Sequence, residues 1–257
     1  MSVAPSTERL ARDRGVASIR RIGPVLDLFT PDRPEWRMSE IARALSMPKS
    51  TAHALLGSMV DVGLLSLTPR RRYQLGWSLL SLGERMRVGL DFRRHALPAM
   101  QELARAVHET VVLSALDRSS VVIVERVEGD HPMVRLAGAA PGTRAPAHRT
   151  AAGLVLLAAR PPREVGALLD GLPGLAALQR TLDDVRRRGV GIARGELATD
   201  VAAIAAPLTD AHGTVVAAIG LQVPAYRFPR DTTRLADALC GVAASVSRRI
   251  AAQAPAP

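Results

Sequence analysis

The stretch that decides the fold is MSEIARALSMPKSTAHALLGSMVDVGLLSLTPRRRYQL, residues 38–75. Ile41, Ala42 and Leu45 recur at helical spacing, and Ser39 stands where it would cap a short helix running to Leu45. Ser46-Met47 then makes a turn. Pro48, with its fixed φ, suits the first position of a second helix running to about Val62. Ala52, Leu55, Leu56, Met59 and Val62 form the buried stripe of that helix, and Lys49, Ser50, His53 and Gly57 fall on its opposite face. Gly63 closes it as a C-terminal cap. Residues 64–67 and 73–75 read as two strands around Thr68-Pro69-Arg70-Arg71-Arg72, a basic hairpin. Two short helices joined by a tight turn, then a basic hairpin, make a winged helix-turn-helix pattern.

Working outward, Ile19, Ile22, Val25, Leu26 and Phe29 predict a helix stopped by Pro31 and Pro34. Pro24 either kinks that helix or begins its regular part. Downstream, Leu79, Leu80, Gly83 and Met86 mark one side of a helix over 76–87. Leu97, Met100, Leu103 and Val107 are the stripe of another over 92–108, with Gly89 as the break, and the two read as a connector. Beyond it, apolar β-branched runs at 110–116 and 121–128 make a hairpin around Asp117-Arg118-Ser119-Ser120. A further strand is expected at 133–136, helices at 148–160, 162–170 and 175–188, strands at 191–194, 201–208 and 214–223, and a final helix over 229–250. Hairpins mixed with helices make this an α+β sensor-like domain rather than a doubly wound nucleotide fold. Residues 1–15 and 251–257 lack a buryable pattern and are expected to be disordered tails.

Composition bounds the function. The chain has 257 residues, 47% apolar and 23% charged, which excludes disordered and fibrous classes. Its longest apolar run stops far short of the roughly eighteen residues a membrane span needs, so no membrane association is expected. A single cysteine, Cys240, excludes an internal disulfide or a cysteine-based zinc site and points to the cytoplasm. Net charge is +10, and Lys49 is the one lysine among 34 basic residues. Residues 1–90 hold 14 basic against 8 acidic side chains and the remainder 20 against 16, so the shorter part carries the denser charge and favours a polyanionic partner. The six histidines are scattered without ligand spacing, and no catalytic motif stands out. Gly189-Val190-Gly191-Ile192-Ala193-Arg194 lacks the third glycine of a dinucleotide fingerprint and leads into a strand. No catalytic residue, metal or cofactor is expected.

Lys49, Ser50, Thr51 and His53 lie in the first turns of the second helix, where free N–H groups and the helix dipole favour phosphate. Arg70, Arg71 and Arg72 on the wing would add phosphate or minor-groove contacts. Double-stranded DNA is the expected partner, with a winged helix used for protein contacts as the alternative. In the second domain His148-Arg149-Thr150 opens a helix and would suit a carboxylate. The plainer alternative is that Thr150 and His148 cap the helix while Arg149 faces water. Arg194 either pairs with Glu196 across a loop or binds an anion.

These blocks, in this order, resemble the IclR (isocitrate lyase regulator) family of bacterial transcription regulators over about residues 18–250. The strongest are Met38-Ser39-Glu40-Ile41-Ala42-Arg43, Met47-Pro48-Lys49-Ser50-Thr51, Val62-Gly63-Leu64-Leu65 and Arg72-Tyr73-Gln74-Leu75-Gly76. Glu109-Thr110-Val111, Arg126-Val127-Glu128, the segment from Gly142 through Pro146 and His148 to Gly153, Arg188-Gly189 and Ile204-Ala205-Ala206-Pro207 complete the match. The resemblance implies a winged helix-turn-helix DNA-binding domain at 16–76, linker helices that pair subunits at 77–108, and a GAF-like α/β effector-binding domain at 109–250. It implies a dimer or tetramer on a palindromic operator, answering to a small-molecule effector such as an organic acid or aromatic catabolite. Arg21 matches the family's basic residue in the first helix and joins Lys49, Ser50, Thr51, His53 and Arg70 to Arg72 as implied DNA contacts. The implied effector positions are His148, Arg149, Thr150, Gly153, Arg194, Glu196, Ala203, Gly220 and Gln222. Here Leu154 replaces the family's lysine, Ala193-Arg194 its acidic pair, Ala203 its cysteine, and Gly220 and Gln222 its serines, which implies a pocket more apolar and less acidic than usual. His108 stands where glycine usually ends a helix; histidine tolerates positive φ better than most residues.

Overall fold

The computed structural model describes residues 17–129 and 140–253. The strand expected at 133–136, the tail at 1–15 and the last residues of the expected C-terminal tail lie outside them. The described residues form two compact units, one ending at Met86 and one beginning at Arg87.

The first unit holds helices α1 (Ala17–Leu26), α2 (Met38–Ala44) and α3 (Lys49–Asp61), then strands β1 (Leu65–Leu67) and β2 (Tyr73–Leu75). Val25, Trp36, Ile41, Leu55, Leu56, Met59 and Leu65 pack into one core. Helix α1 starts well before Pro24 and runs through it, with the Asp27 N–H still donating to the Gly23 carbonyl at 2.9 Å. Ser39 is not the cap of α2. The extended residue before the helix is Arg37, and its N–H donates to Glu40 Oε2 at 2.8 Å, so Ser39 falls inside the first turn. That hydrogen bond, with the Arg33, Arg72 and Arg37 guanidinium groups nearby, holds the Glu40 carboxyl below its usual range.

The buried stripe of α3 ends at Met59. Val62, expected within it, is 65% exposed, because the helix stops at Asp61 and Gly63 turns the chain away at φ 77°. The two wing strands pair as an antiparallel hairpin, Leu65 with Leu75 and Leu67 with Tyr73. It also gains a partner that the hairpin pattern does not announce: Trp36 and Tyr73 exchange backbone hydrogen bonds of 2.9 and 2.8 Å. Helix α4 (Trp77–Val88) follows with no buried residue, and Trp77, Leu80, Met86 and Val88 are exposed.

The second unit starts with α5 (Asp91–Val107), which His108 ends in the left-handed region at φ 57°. Strands β3 (Thr110–Asp117), β4 (Ser120–Val127) and β5 (Arg144–Pro146) follow, then a 3-10 turn (Ala147–Arg149). Helices α6 (Ala151–Ala158), α7 (Pro162–Leu168) and α8 (Leu175–Arg188) precede strands β6 (Gly191–Arg194), β7 (Val201–Thr209) and β8 (Val215–Pro224) and the last helix, α9 (Thr233–Ala252). The helix expected to open at residue 148 opens at Ala151, because Thr150 is its extended N-cap. The last helix starts at Thr233 rather than 229 and continues past residue 250.

The six strands form an antiparallel sheet in the order β5-β4-β3-β8-β7-β6. Alternation divides each strand between two faces. Ile204, Leu208, Ile219 and Leu221 pack against Met100 and Leu103 of α5 and Leu239 and Val246 of α9. Ala205 and Ala218 face Leu157 of α6 and Leu182 and Val185 of α8. Of the two helices expected to connect the domains, α5 is therefore built into this core, and only α4 lacks buried residues. The chain is α+β, a winged helix followed by an antiparallel sheet between helical layers.

Candidate functional site

On the first unit, burial of Ala52, Leu55, Leu56 and Met59 turns the other face of α3 outward. Lys49, Ser50 and His53 are exposed there in its opening turns, with Thr51 half-buried. Arg21 of α1 and Thr51 line the same groove of about 500 Å³ between α1 and α3. Gly57 lies one turn beyond His53, and a Cβ there would meet nothing within 4 Å. Packing therefore does not require this glycine, although glycine in a helix interior costs about 1 kcal/mol relative to alanine. The wing turn is closed by Thr68 and Arg72, whose backbone groups bond at 2.8 Å, and Arg71 adopts φ 54°. Arg70 and Arg71 are exposed. Arg72 is half-buried and close enough to lower the Glu40 carboxyl, so it is partly committed within the fold.

On the second unit a cavity lies on the sheet face opposite α5 and α9. Its floor is Val112 and Ser114 of β3, Val121 and Ile123 of β4, Ala203 and Ala205 of β7, and Gly220 and Gln222 of β8. Register explains the grouping: Val112 pairs with Gly220, Ala205 with Gly220, and Ala203 with Gln222, so these positions share one face. Thr150, Ala151 and Ala152 at the start of α6 form the roof, Thr143 and Ala145 one wall, and Leu197 of the β6–β7 loop the mouth. The cavity is partly open and holds about 60 Å³. Gln222 Oε1 is buried and accepts no hydrogen bond.

Of the nine effector positions, Thr150, Ala203, Gly220 and Gln222 come together here; the other five do not. His148 lines a separate open cleft with Ser119, Ser120 and Asp170. Arg149 is exposed, as the plainer alternative has it, and is held at the surface by donating from Nε to the Glu196 carbonyl at 2.6 Å; it is not among the residues that line the cavity. Thr150 caps α6, its Oγ1 accepting from the Gly153 N–H at 3.0 Å. Gly153 serves close packing: a Cβ there would lie 2.5 Å from the Ala147 Cα. Arg194 makes no ion pair with Glu196. The Glu196 carboxylate accepts from the Arg194 backbone N–H, while the Arg194 guanidinium sits 4.6 Å from the Phe228 ring and reaches the Pro229 carbonyl at 3.3 Å. Sequence reasoning missed Ser114, Thr143 and Leu197. Ser114, 2% exposed within an apolar strand, carried a usable signal in its polarity and in its alternation with Val112.

The other features noted in the sequence lie apart from both sites. Burial, then Asp237, pushes the Cys240 thiol up. His212 is exposed in the turn that Asp210 closes by accepting from the His212 and Thr214 N–H groups. Among the described residues, no helix is long and apolar enough to cross a membrane, and no cluster of three metal-ligating side chains occurs.

Comparison with known proteins matches both units. The IclR helix-turn-helix domain matches residues 18–69, and the domain described as bacterial transcriptional regulator IclR C-terminal matches residues 86–248. The chain is 30% identical over 249 residues to the HTH-type transcriptional regulator KdgR of Escherichia coli, covering 93% of this chain and 92% of that one. It is 33% identical over 254 residues to the glycerol operon regulatory protein of Streptomyces griseus, covering 93% and 98%. An IclR homologue from Microbacterium hydrocarbonoxydans, crystallised with 4-hydroxybenzoate, superposes with a TM-score of 0.76 at 28% identity over 91% of this chain and 99% of its own. The IclR family regulator of Brucella abortus gives 0.78 at 26% identity over 97% and 96%. The winged helix, the sheet domain and these matches across both units establish that the chain belongs to the IclR family of bacterial transcriptional regulators.

Proposed function

We propose that this regulator binds a specific operator through α3 and the wing, and that a small molecule in the cavity beneath Leu197 changes its affinity for that operator. Lys49, Ser50 and Thr51 engage the phosphate backbone at the start of α3, and His53 reads base edges one turn on. Arg21 reaches the backbone beside Thr51, and Arg70 and Arg71 extend the contact from the wing. Arg72 contributes less, because Glu40 offsets its charge. A second copy of the chain places another α3 in a neighbouring major groove, so the operator is palindromic. The observation that carries this reading is the exposed polar start of α3 set against a buried stripe, with Gly57 bare where packing does not ask for glycine.

An effector acts only through a difference in affinity for two arrangements of the DNA-binding pair. The cavity's orphaned Gln222 oxygen and the ligand-bound Microbacterium relative favour a small-molecule role for the second unit. We read the chain as a binding protein rather than an enzyme, as the names of its relatives suggest. The test is binding to fluorescent duplex from the gene's upstream region, with random duplex as competitor, across a salt series. Wild type should resist the competitor. A Lys49→Ala/Arg71→Ala double mutant should bind weakly, with a salt slope shallower by roughly 3.6, because each lost phosphate contact removes about 0.9 and each of the two copies loses two. A double mutant that binds like wild type would overturn the assignment of α3 and the wing.

A further inference from the structure

We infer that the cavity takes an uncharged, largely apolar molecule carrying one hydroxyl group that donates to Gln222; this rests on the effector role proposed for the second unit. No cavity-lining residue carries a charge, and the polar ones are Ser114, Thr143, Thr150 and Gln222. The two arginines and the histidine implied by the resemblance do not line it. Arg149 is held by the Glu196 carbonyl, Arg194 by Phe228 and the Pro229 carbonyl, and His148 lies in the separate cleft.

Arg126 is the further candidate cation, because it pairs with Val112 across the sheet and so lies on the cavity's face. Its guanidinium is paired through one terminal nitrogen with Glu128 at 3.0 Å, which offsets its charge; its Nε is buried without a partner, and the residue is not among those that line the cavity. A carboxylate entering this cavity would lose its hydration against a lining without charge, and Arg126, the cation on that face, is already neutralised by Glu128, so apolar contact does not offset the penalty. A neutral hydroxyl meets the opposite situation: Gln222 Oε1 is already desolvated and lacks a donor, so a hydrogen bond there repairs a cost the protein bears when empty.

Volume limits the size. The partly open cavity is about 60 Å³, whereas a cavity of about 150 Å³ admits benzene. A single ring therefore enters only if the lining gives way, and Leu197 is the lining residue freest to move. That side chain is 47% exposed at the mouth, on the loop between β6 and β7, where a large hydrophobe costs little to displace.

Two probes isolate the charge: p-cresol and 4-hydroxybenzoate share a ring and hydroxyl and differ in a methyl against a carboxylate. A phenolic hydroxyl titrates near ~10, so p-cresol is neutral at pH 7. Calorimetric titration of the full chain should show p-cresol binding at least tenfold tighter than 4-hydroxybenzoate. Toluene, lacking the hydroxyl, should bind roughly fivefold weaker than p-cresol, the worth of about one hydrogen bond, and Gln222→Leu should abolish that preference. Equal or tighter binding of 4-hydroxybenzoate overturns the inference, as does failure of p-cresol to bind wild type. A preference for p-cresol over toluene that survives in Gln222→Leu overturns the anchor. Duplex affinity measured in the same samples separates the two claims. Selective p-cresol binding that leaves duplex affinity unchanged upholds the ligand class and sinks the effector role, whereas 4-hydroxybenzoate binding that shifts duplex affinity does the reverse.

Discussion

Gly153→Ala is the perturbation for which two physical arguments give opposite signs. Helix propensity alone predicts a gain, since replacing glycine with alanine in a helix interior is worth about 1 kcal/mol. The geometry predicts a loss. A Cβ on residue 153 would lie 2.5 Å from the Cα and 2.6 Å from the carbonyl carbon of Ala147, with the carbonyl oxygen nearer still, where ordinary contact begins at 3.4 Å. The obstacle is backbone in the 3-10 turn, which has no rotamer to change, so the turn and α6 must separate by most of an ångström. That movement strains the bond from the Gly153 N–H to Thr150 Oγ1, an N-cap worth about 1 kcal/mol, and loosens a helix buried at every position from Ala151 to Ala158. Overpacking adds about 1–3 kcal/mol or more. The net expectation is a loss of about 2 kcal/mol, or a fall in Tm of roughly 4–8 °C for a unit of this size. Differential scanning calorimetry of the full chain reads it directly. A Tm equal to or above wild type would refute the packing role and return Gly153 to the list of ligand-contacting candidates.

The Glu40 carboxyl lies below the free value of 4.5, so its stabilising contribution is present above that value and fades as pH falls through the lower folded value. Glu40→Gln should therefore destabilise the winged helix at pH 7 and flatten its loss of stability on acidification, seen as urea midpoints at pH 7 and pH 3; parallel wild-type and mutant profiles would contradict this. Lys49→Ala should weaken specific and random duplex alike, while His53→Ala should change sequence preference more than bulk affinity; titrations against a panel of base substitutions distinguish the two, and an unchanged preference in His53→Ala would remove it from base readout. Burial and Asp237 raise the Cys240 thiol, so alkylation at pH 8 should be slow in the folded chain and speed up on unfolding; a rate matching that of free cysteine would contradict the packing of α9.

Much of this architecture is legible in the sequence because local chemistry and burial agree. The helix at 175–188 falls on its expected residues, since Gly174 and Gly189 bound it in the left-handed region. The β3–β4 hairpin and His108 at positive φ follow the same logic. The misses come from partners that the local pattern does not show, some distant in sequence and some near. Trp36, which no local pattern singles out, is paired with Tyr73 of the wing. Ser39 looks like a cap because serine favours that position, but Arg33, Arg37 and Glu40 settle the entry to α2 two residues earlier. The cavity is harder still, because the resemblance grouped His148, Arg149, Gly153, Arg194 and Glu196 with it. Sheet register and loop contacts instead select Thr150, Ala203, Gly220 and Gln222 and add Ser114.

Hydroxyl-radical footprinting of the upstream duplex tests the central claim most directly, because it reports geometry as well as affinity. Two α3 helices related by a twofold axis should protect a pair of symmetry-related half-sites whose centres lie one helical turn, about 10–10.5 base pairs, or a multiple of it apart. Excess random duplex should leave that protection in place, and Lys49→Ala/Arg71→Ala should erase it. Uniform or competitor-sensitive protection along the fragment, or none from folded protein at low salt, would contradict the account of this chain as an operator-binding regulator acting through α3 and the wing.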